Sequence, residues 1–322
     1  MNGPLPTLAS MIATVTLNPS LDEWMQLPTL RLGALNRASG FSRYPGGKGI
    51  NVSRVIRELG GRTVAFALAG GEDGLILRSA MNRLGIPHEF VTINGSTRNN
   101  YKIRNTHPPA LTEINLTGPE VSRPSLSSLL RRLLSHRPRP RCVVLSGSLP
   151  PGAPVTIYRE WIAACHRRSM PVVLDASGAA FTTGLTARPW LIKPNRQEAE
   201  ECMGRRLART SEIVKAAVAL LRRGPSVVVL SLGAKGAVLA SASPRGVWMA
   251  RPPIVNVDSA VGAGDSLVGG WLVGWQRRSQ LLDAFRWGIA SGTAAAMTPG
   301  TELCHRTDVR RLMSQVEIRR IG

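Results

Sequence analysis

The stretch "VDSAVGAGDSLVGGWLVG", residues 257–274, places the carboxylate of Asp265 behind three small residues and in front of an apolar run studded with glycine. The run reads as a helix whose Ser266, Gly270 and Gly274 fall at i, i+4 and i+8, a smooth face suited to tight packing. Asp265 then lies in a first turn, where the N–H groups of residues 262–265 have no intrahelical acceptors. A carboxylate there is either an N-terminal cap or a base beside an anion hole formed by Gly262, Ala263 and Gly264. The preceding "PPIVNV", residues 252–257, has strand character, so Asp265 is expected at a strand-to-helix turn.

Working outward, short β-branched runs alternate with longer amphipathic ones. Strands are expected at 12–17, 63–69, 142–147, 171–177, 190–194 and 226–232. Helices are expected at 49–60, 74–84, 125–135, 155–168, 196–203, 211–223, 265–277, 281–297 and 307–315. This alternation predicts an α/β fold with a mostly parallel sheet and helices on both faces. Residues 22–45 and 88–117 break the rhythm with polar, turn-rich alternation and read as a small β-strand lid outside that sheet. Residues 1–11 read as a poorly ordered leader, with Met1 or Met11 as the start, and residues 12–322 as one large domain without repeats or linkers. Four strands end in "SGSLPPG", "DASG", "KPN" and "SLGAKG", and in open parallel sheets ligands bind beyond such ends.

Three further stretches carry chemistry. In "YPGGKGINVSRVIRELGG", residues 44–61, glycines including Gly47 let backbone approach a ligand before a helix starts. Lys48 supplies a point charge for phosphate or a sugar hydroxyl, and Asn51 sits on the first turn. The spacing matches neither a Walker loop nor a Rossmann fingerprint, and a plain glycine cap explains it equally well. In "KPNRQEAEE", Asn195 and Glu198 share one side of a helical turn. They suit Mg²⁺, which takes few protein oxygens, or a capping box. In the lid, Arg98, Asn100 and Lys102 share a strand face and, with Arg37, form either a phosphate clamp or an exposed basic face. Asp22, just past the first strand, either accepts sugar hydroxyls or begins a turn.

Composition excludes several classes. The 322 residues are 43% hydrophobic and 19% charged, which is globular. No apolar run approaches the ~18 residues that span a bilayer. The four cysteines, Cys142, Cys165, Cys202 and Cys304, form no CxxC pair, which argues against a zinc site or disulfide framework and suits a reducing cytoplasm. The net charge is +21, and all but five of the 41 basic residues are arginine. Because they occur as scattered helix pairs and aromatics make up only 5%, the charge reads as solvated helix faces with a general affinity for anions. Nucleic-acid binding remains a remote alternative as the primary function.

In order and spacing, "TLNPSLD", "GGKGINVSRV", "GSTRNNYKI", "SGSLPPG", "DASGAAF", "IKPNRQEAE", "SLGAKGA" and "VGAGDSLVGG" make the chain resemble the phosphofructokinase B family of ribokinase-fold sugar kinases from about residue 12 to 315. The resemblance implies a ribokinase-like three-layer α/β/α domain with a lid, ATP and Mg²⁺ as cofactors, a cytoplasmic enzyme without a membrane partner, and a homodimer formed through the lid. It implies Asp265 as catalytic base with Gly262, Ala263 and Gly264 as anion hole. Asp22, Gly47, Lys48 and Asn51 would hold the sugar, and Arg98 with Lys102 its phosphate. Lys193 would approach the ATP phosphates, Ser231, Gly233 and Gly236 would line the nucleotide pocket, and Asn195 with Glu198 would govern Mg²⁺. "TEINLTGPEV" resembles the 1-phosphofructokinase and tagatose-6-phosphate kinase branch, whereas "SGTAAAMTPGTELCHRTDV" resembles the minor 6-phosphofructokinases. The expected reaction is ATP-dependent conversion of fructose 1-phosphate to fructose 1,6-bisphosphate, with tagatose 6-phosphate or fructose 6-phosphate as alternative substrates.

Overall fold

Valine-rich runs such as "CVVLS" and "VVVLS" are apolar at every position, so each needs cover on both faces. The computed structural model, which describes residues 11–278 and 280–322, supplies it with a three-layer α/β/α arrangement. Seven strands run parallel: β1 (Ile12–Thr16), β4 (Thr63–Ala69), β5 (His88–Thr92), β8 (Cys142–Ser146), β9 (Val172–Asp175), β10 (Leu191–Ile192) and β11 (Val227–Ser231). Antiparallel β12 (Ala237–Ala242), β13 (Arg245–Arg251) and β14 (Glu317–Arg320) extend the sheet to ten, in the order β14-β13-β12-β11-β10-β9-β8-β1-β4-β5.

Alternate residues of each strand feed opposite cores. Val143 and Leu145 join one cluster under α3 (Arg123–Ser135), α4 (Ile157–His166), α5 (Gly178–Leu185), α6 (Arg196–Met203) and α7 (Thr210–Arg222). Cys142 and Val144 join another under α1 (Lys48–Glu58), α8 (Ala263–Arg278), α9 (Leu281–Ala296) and α10 (Arg306–Met313). A third, smaller cluster seats α2 (Gly71–Arg83) through Leu77 and Met81. Among the described residues no helix is long and apolar enough to cross a membrane.

The lid is a separate four-stranded sheet, ordered β3-β2-β6-β7, built from β2 (Ser20–Leu27), β3 (Gly40–Gly46), β6 (Arg98–Thr106) and β7 (Pro109–Asn115). It is tied to the body by Arg104, whose guanidinium donates to both Asp258 carboxylate oxygens at 2.7 and 3.0 Å.

The structure corrects the sequence reading in four places. Residues 88–92, assigned to the lid, form β5 at the edge of the main sheet, so the second lid segment begins at Arg98. "PPIVNV" is a half-buried loop outside the sheet, with Val255 packed on the core, because Pro252 and Pro253 have no N–H to give a ladder. The strand before Asp265 is β13, one segment earlier. The helix α5 and the antiparallel edge β12 to β14 had not been expected. Of the leader, residues 1–10 lie outside the described residues, whereas Met11 packs on the core and its carbonyl accepts the Arg141 N–H at 2.9 Å.

The small face of α8 does what its spacing implies. A Cβ on Gly270 would stand 2.1 Å from Ser291 Oγ and 2.8 Å from the Trp287 carbonyl, and one on Gly274 would stand 2.7 Å from Trp287 Cβ. Gly270→Val is therefore expected to destabilise the fold by about 2–3 kcal/mol, read as a lower urea midpoint. An unchanged midpoint would show that the α8–α9 contact is not close-packed.

Candidate active site

Strand ends and helix starts meet along the carboxyl edge of the parallel strands. The backbone leaves β3 at Gly46, turns at Gly47 with φ 105°, and enters α1 at Lys48. Only glycine suits Gly47, since a Cβ there would lie 2.7 Å from Thr16 Cγ2 and 3.1 Å from the Pro19 backbone. That turn aims Lys48 across the sheet end. Its ammonium lies 3.3 Å from Asp175 Oδ1, at the tip of β9, and 3.7 Å from Glu198 Oε1. Lys193, following β10, reaches the same Asp175 oxygen at 3.4 Å.

Asp175 is thus shared by two lysines. Burial pushes its carboxyl up, but Lys193 and Lys48 outweigh that and hold it below the usual range. Asp175 in turn pushes the Lys48 ammonium above its ordinary value, with burial opposing. Its second oxygen, Oδ2, is buried without a protein partner. Sequence reading took "DASG" only as a strand end. The overlooked signal was a lone acid closing the otherwise apolar strand "VVLD".

Asp265 sits at the third residue of α8 and is buried. The Ala263 N–H is taken by the Ala260 carbonyl and the Ser266 N–H by that of Gly262, while the amides of Gly264 and Asp265 lie before the first intrahelical acceptor. Burial and the neighbouring Asp175 charge push the Asp265 carboxyl up to about 6, against the pull of Lys48, Asn51 and Lys193. Asn51 Nδ2 donates to Asp265 Oδ2 at 2.8 Å. Arg54, one turn on, fixes that orientation. It donates to Asn51 Oδ1 at 3.2 Å, so the amide face turned to Asp265 is the donor. The same guanidinium donates to the Pro45 and Thr301 carbonyls, and burial pulls it down to about 10. Sequence reading missed Arg54 because a helix arginine in this chain is unremarkable by itself.

Lys193 belongs with this group, since a Cβ on Gly264 would lie 3.3 Å from its ammonium. Asn195 and Glu198 form a full capping box: Asn195 Oδ1 accepts the Glu198 N–H, and Glu198 Oε2 accepts the Asn195 N–H, both at 2.8 Å. Ser231 bridges Asn195, and the Gly233–Lys235 turn closes on Gly236, where a Cβ would strike the Ala250 carbonyl at 1.9 Å.

The lid residues are arranged less uniformly. Asp22 is buried and accepts from Ser20 Oγ at 2.9 Å and Asn100 Nδ2 at 3.0 Å. Arg98 donates to the Leu116 and Asn18 carbonyls, and its buried Nε has no partner. Lys102 is buried and paired with Glu113 at 3.0 Å, while Arg37 is exposed in the 28–39 loop. The structure therefore gathers Lys48, Asn51, Asp175, Lys193, Glu198 and Asp265, and leaves Lys102 and Arg37 outside their hydrogen bonds.

Comparison with known proteins shows the family and the fold. The family model described as "pfkB family carbohydrate kinase" matches residues 15–308. The chain is 33% identical over 311 residues to 1-phosphofructokinase of Escherichia coli K12, covering 97% of this chain and 99% of the relative. It is 35% identical over 302 residues to ATP-dependent 6-phosphofructokinase isozyme 2 of Mycobacterium tuberculosis, covering 93% and 88%. The crystal structure of Escherichia coli phosphofructokinase-2 in complex with substrates and products superposes with TM-score 0.90 at 31% identity, covering 95% and 99%. The fold is ribokinase-like.

A carboxyl whose folded pKa is raised costs stability once it ionises. The penalty is complete above about pH 6 and vanishes below the unfolded value of 3.8. Asp265→Asn is therefore expected to be more stable than the parent by ~2–3 kcal/mol at pH 7.5, and the gain should shrink as the pH falls from 6 towards 4. Urea melts across that range test it, and a gain that does not vary with pH would contradict the raised carboxyl.

Proposed function

The chain belongs to the pfkB family of carbohydrate kinases, phosphotransferases that act on a hydroxyl group, and from that premise we propose that it phosphorylates a ketohexose phosphate with ATP. Fructose 1-phosphate is the first substrate, giving fructose 1,6-bisphosphate. The observation that carries the reading is Asp265. A buried carboxyl with its affinity for protons raised to about 6, set at a helix start beside two lysines, is what a base for a sugar hydroxyl requires.

In this reading Asp265 accepts the proton of the attacking hydroxyl. Asn51, oriented by Arg54, holds Asp265 Oδ2 and leaves Oδ1 for the proton. The amides of Gly264 and Asp265, with Gly262 and Ala263 shaping the turn, offset charge on the group in flight. Lys48 and Lys193 flank the phosphates; Ser231, Gly233 and Gly236 receive the nucleotide. Asp22, Gly47, Lys48 and Asn51 hold the sugar, Arg98 its phosphate, and Lys102 joins only by giving up Glu113.

Mg²⁺ fits the donor set, because Asp175 Oδ2 is a buried oxygen without a partner and the Glu198 carboxylate lies across Lys48 from it. These two residues would hold the ion, Asn195 would orient Glu198 through the capping box, and the ion would supply charge neutralisation along the phosphates. The lid excludes water from the closed site. Its face turned away from Asp22 exposes Phe41 and Ile114, which supports a homodimer through the lid. The four free cysteines agree with a reducing cytoplasm.

The deciding experiment measures ADP release with MgATP and, separately, fructose 1-phosphate, fructose 6-phosphate, tagatose 6-phosphate and fructose. Highest kcat/KM is expected for fructose 1-phosphate. Preference for a 6-phosphate, favoured by the identity to isozyme 2, would keep the mechanism and change the substrate, and no turnover would reject the reading.

The pH profile follows from the base. A protonated Asp265 cannot accept a proton, so kcat/KM is expected to fall as pH drops through about 6. Asp265→Asn is expected to lose ~10³-fold or more in kcat while still binding ATP. Near-parental turnover in that variant would remove Asp265 from the chemistry.

A further inference from the structure

The arginines look scattered in sequence, yet the topology collects many of them at one end of the sheet. All active-site residues lie at the carboxyl ends of the parallel strands. At the opposite end, Arg141 directly precedes β8, Arg168 lies three residues before Pro171 and β9, Arg188 precedes β10, and Arg222 ends α7 before β11. The antiparallel strands continue the row: Arg245 opens β13, and Arg320 on β14 donates to the Arg245 carbonyl. All six are exposed. With strands ~4.8 Å apart, the seven strands from β14 to β8 set these arginines along about 30 Å.

Segments 136–141, 167–171, 186–190, 222–226 and 242–245, which form this end, contain no Asp or Glu. Glu89 on β5 pairs with His136 at the outer side of this end, and Glu58, Asp283 and Asp308 lie in the terminal turns of α1, α9 and α10, so none belongs to the segments that carry the arginines. Helix ends account for part of the pattern, since a cation stabilises a helix C-terminus, and Arg168 and Arg222 stand at such ends. Arg141, Arg245 and Arg320 belong to strands or strand entries, where no helix end asks for a cation.

We infer that this arginine row is a binding surface for the phosphate backbone of a nucleic-acid duplex, separate from the kinase site at the other end of the sheet. The length of the row is close to one duplex turn of ~34 Å, and guanidinium groups pair with phosphates in bidentate fashion. No exposed aromatic lies in these segments to stack on a base, so recognition is of backbone and independent of sequence. A membrane fits less well, because the exposed large apolar residues at this end, Leu84, Leu282 and Ile321, come from three separate elements and form no continuous apolar run to insert.

The test uses the full chain and fluorescein-labelled 24-base-pair DNA and RNA duplexes, with anisotropy read from 50 to 200 mM NaCl. Both duplexes should bind, with affinity falling steeply as salt rises and unchanged by MgATP. The triple variant Arg141→Gln, Arg168→Gln, Arg222→Gln should bind at least tenfold more weakly and lower the salt slope by about 2–3, with kinase turnover retained as proof of folding. The matched variant Arg31→Gln, Arg123→Gln, Arg205→Gln removes the same charge elsewhere and should bind like the parent. Equal losses in the two triples would overturn the row as a site, as would displacement of the duplex by MgATP or no binding at 50 mM NaCl. Tighter binding to phosphatidylserine vesicles than to either duplex would overturn the choice of partner.

Discussion

The carboxyl end of the sheet is organised by one buried anion held between two cations. Asp175 Oδ1 is shared by Lys48 from the first turn of α1 and Lys193 from the end of β10, so three segments far apart in sequence are fixed to a single oxygen. The remaining geometry depends on that triad. It sets the direction of Lys48 towards Glu198, and it brings negative charge close enough to Asp265 to keep that carboxyl reluctant to ionise. Two acids, one at the tip of β9 and one in the first turn of α8, are thereby driven apart in proton affinity, the first held down by ammonium groups and the second raised by burial and by its neighbour.

A second layer of constraint passes through Arg54. Its guanidinium joins the Asn51 side chain, the end of β3 and the Thr301 carbonyl. A buried cation so placed orients a carboxamide, and the carboxamide orients the Asp265 carboxylate. The orientation of Asp265 therefore depends on a residue that reaches it through Asn51, and that residue is in turn held by the Thr301 carbonyl.

Much of this was legible in the sequence because local chemistry and global fold agree there. The run 63–69 has the same bounds as a reading and as a strand, and 196–203 as a helix, since each combines apolar patterning with a clear boundary residue. The Asn195 and Glu198 spacing announced its capping box. What was not legible depends on partners distant in the chain. Nothing near Asp175 signals that two lysines converge on it, and nothing near Arg54 signals Thr301. The edge strands β12 to β14 were hidden because Ser241, Ser243 and Pro244 interrupt the β12–β13 hairpin and three of the four residues of β14 are charged. "PPIVNV" misled because β-branched composition survives in a segment whose prolines cannot pair. The arginine row shows the same limit at larger scale, for only the strand order reveals that pairs scattered over the chain share one edge.

The route by which the lid joins the body has a mechanical consequence. Strand β3 runs without a spacer into the Gly47 turn and the first residue of α1, and Arg54 clamps the last part of β3 to that same helix. Strand β2 begins only four residues after β1 ends. The lid sheet is therefore a lever with a short arm, and its fulcrum is the glycine that aims Lys48. Arg104, on the inner strand β6, ties the sheet to Asp258 at a second point, so the cover and the turn that carries Lys48 and Asn51 share one short connection.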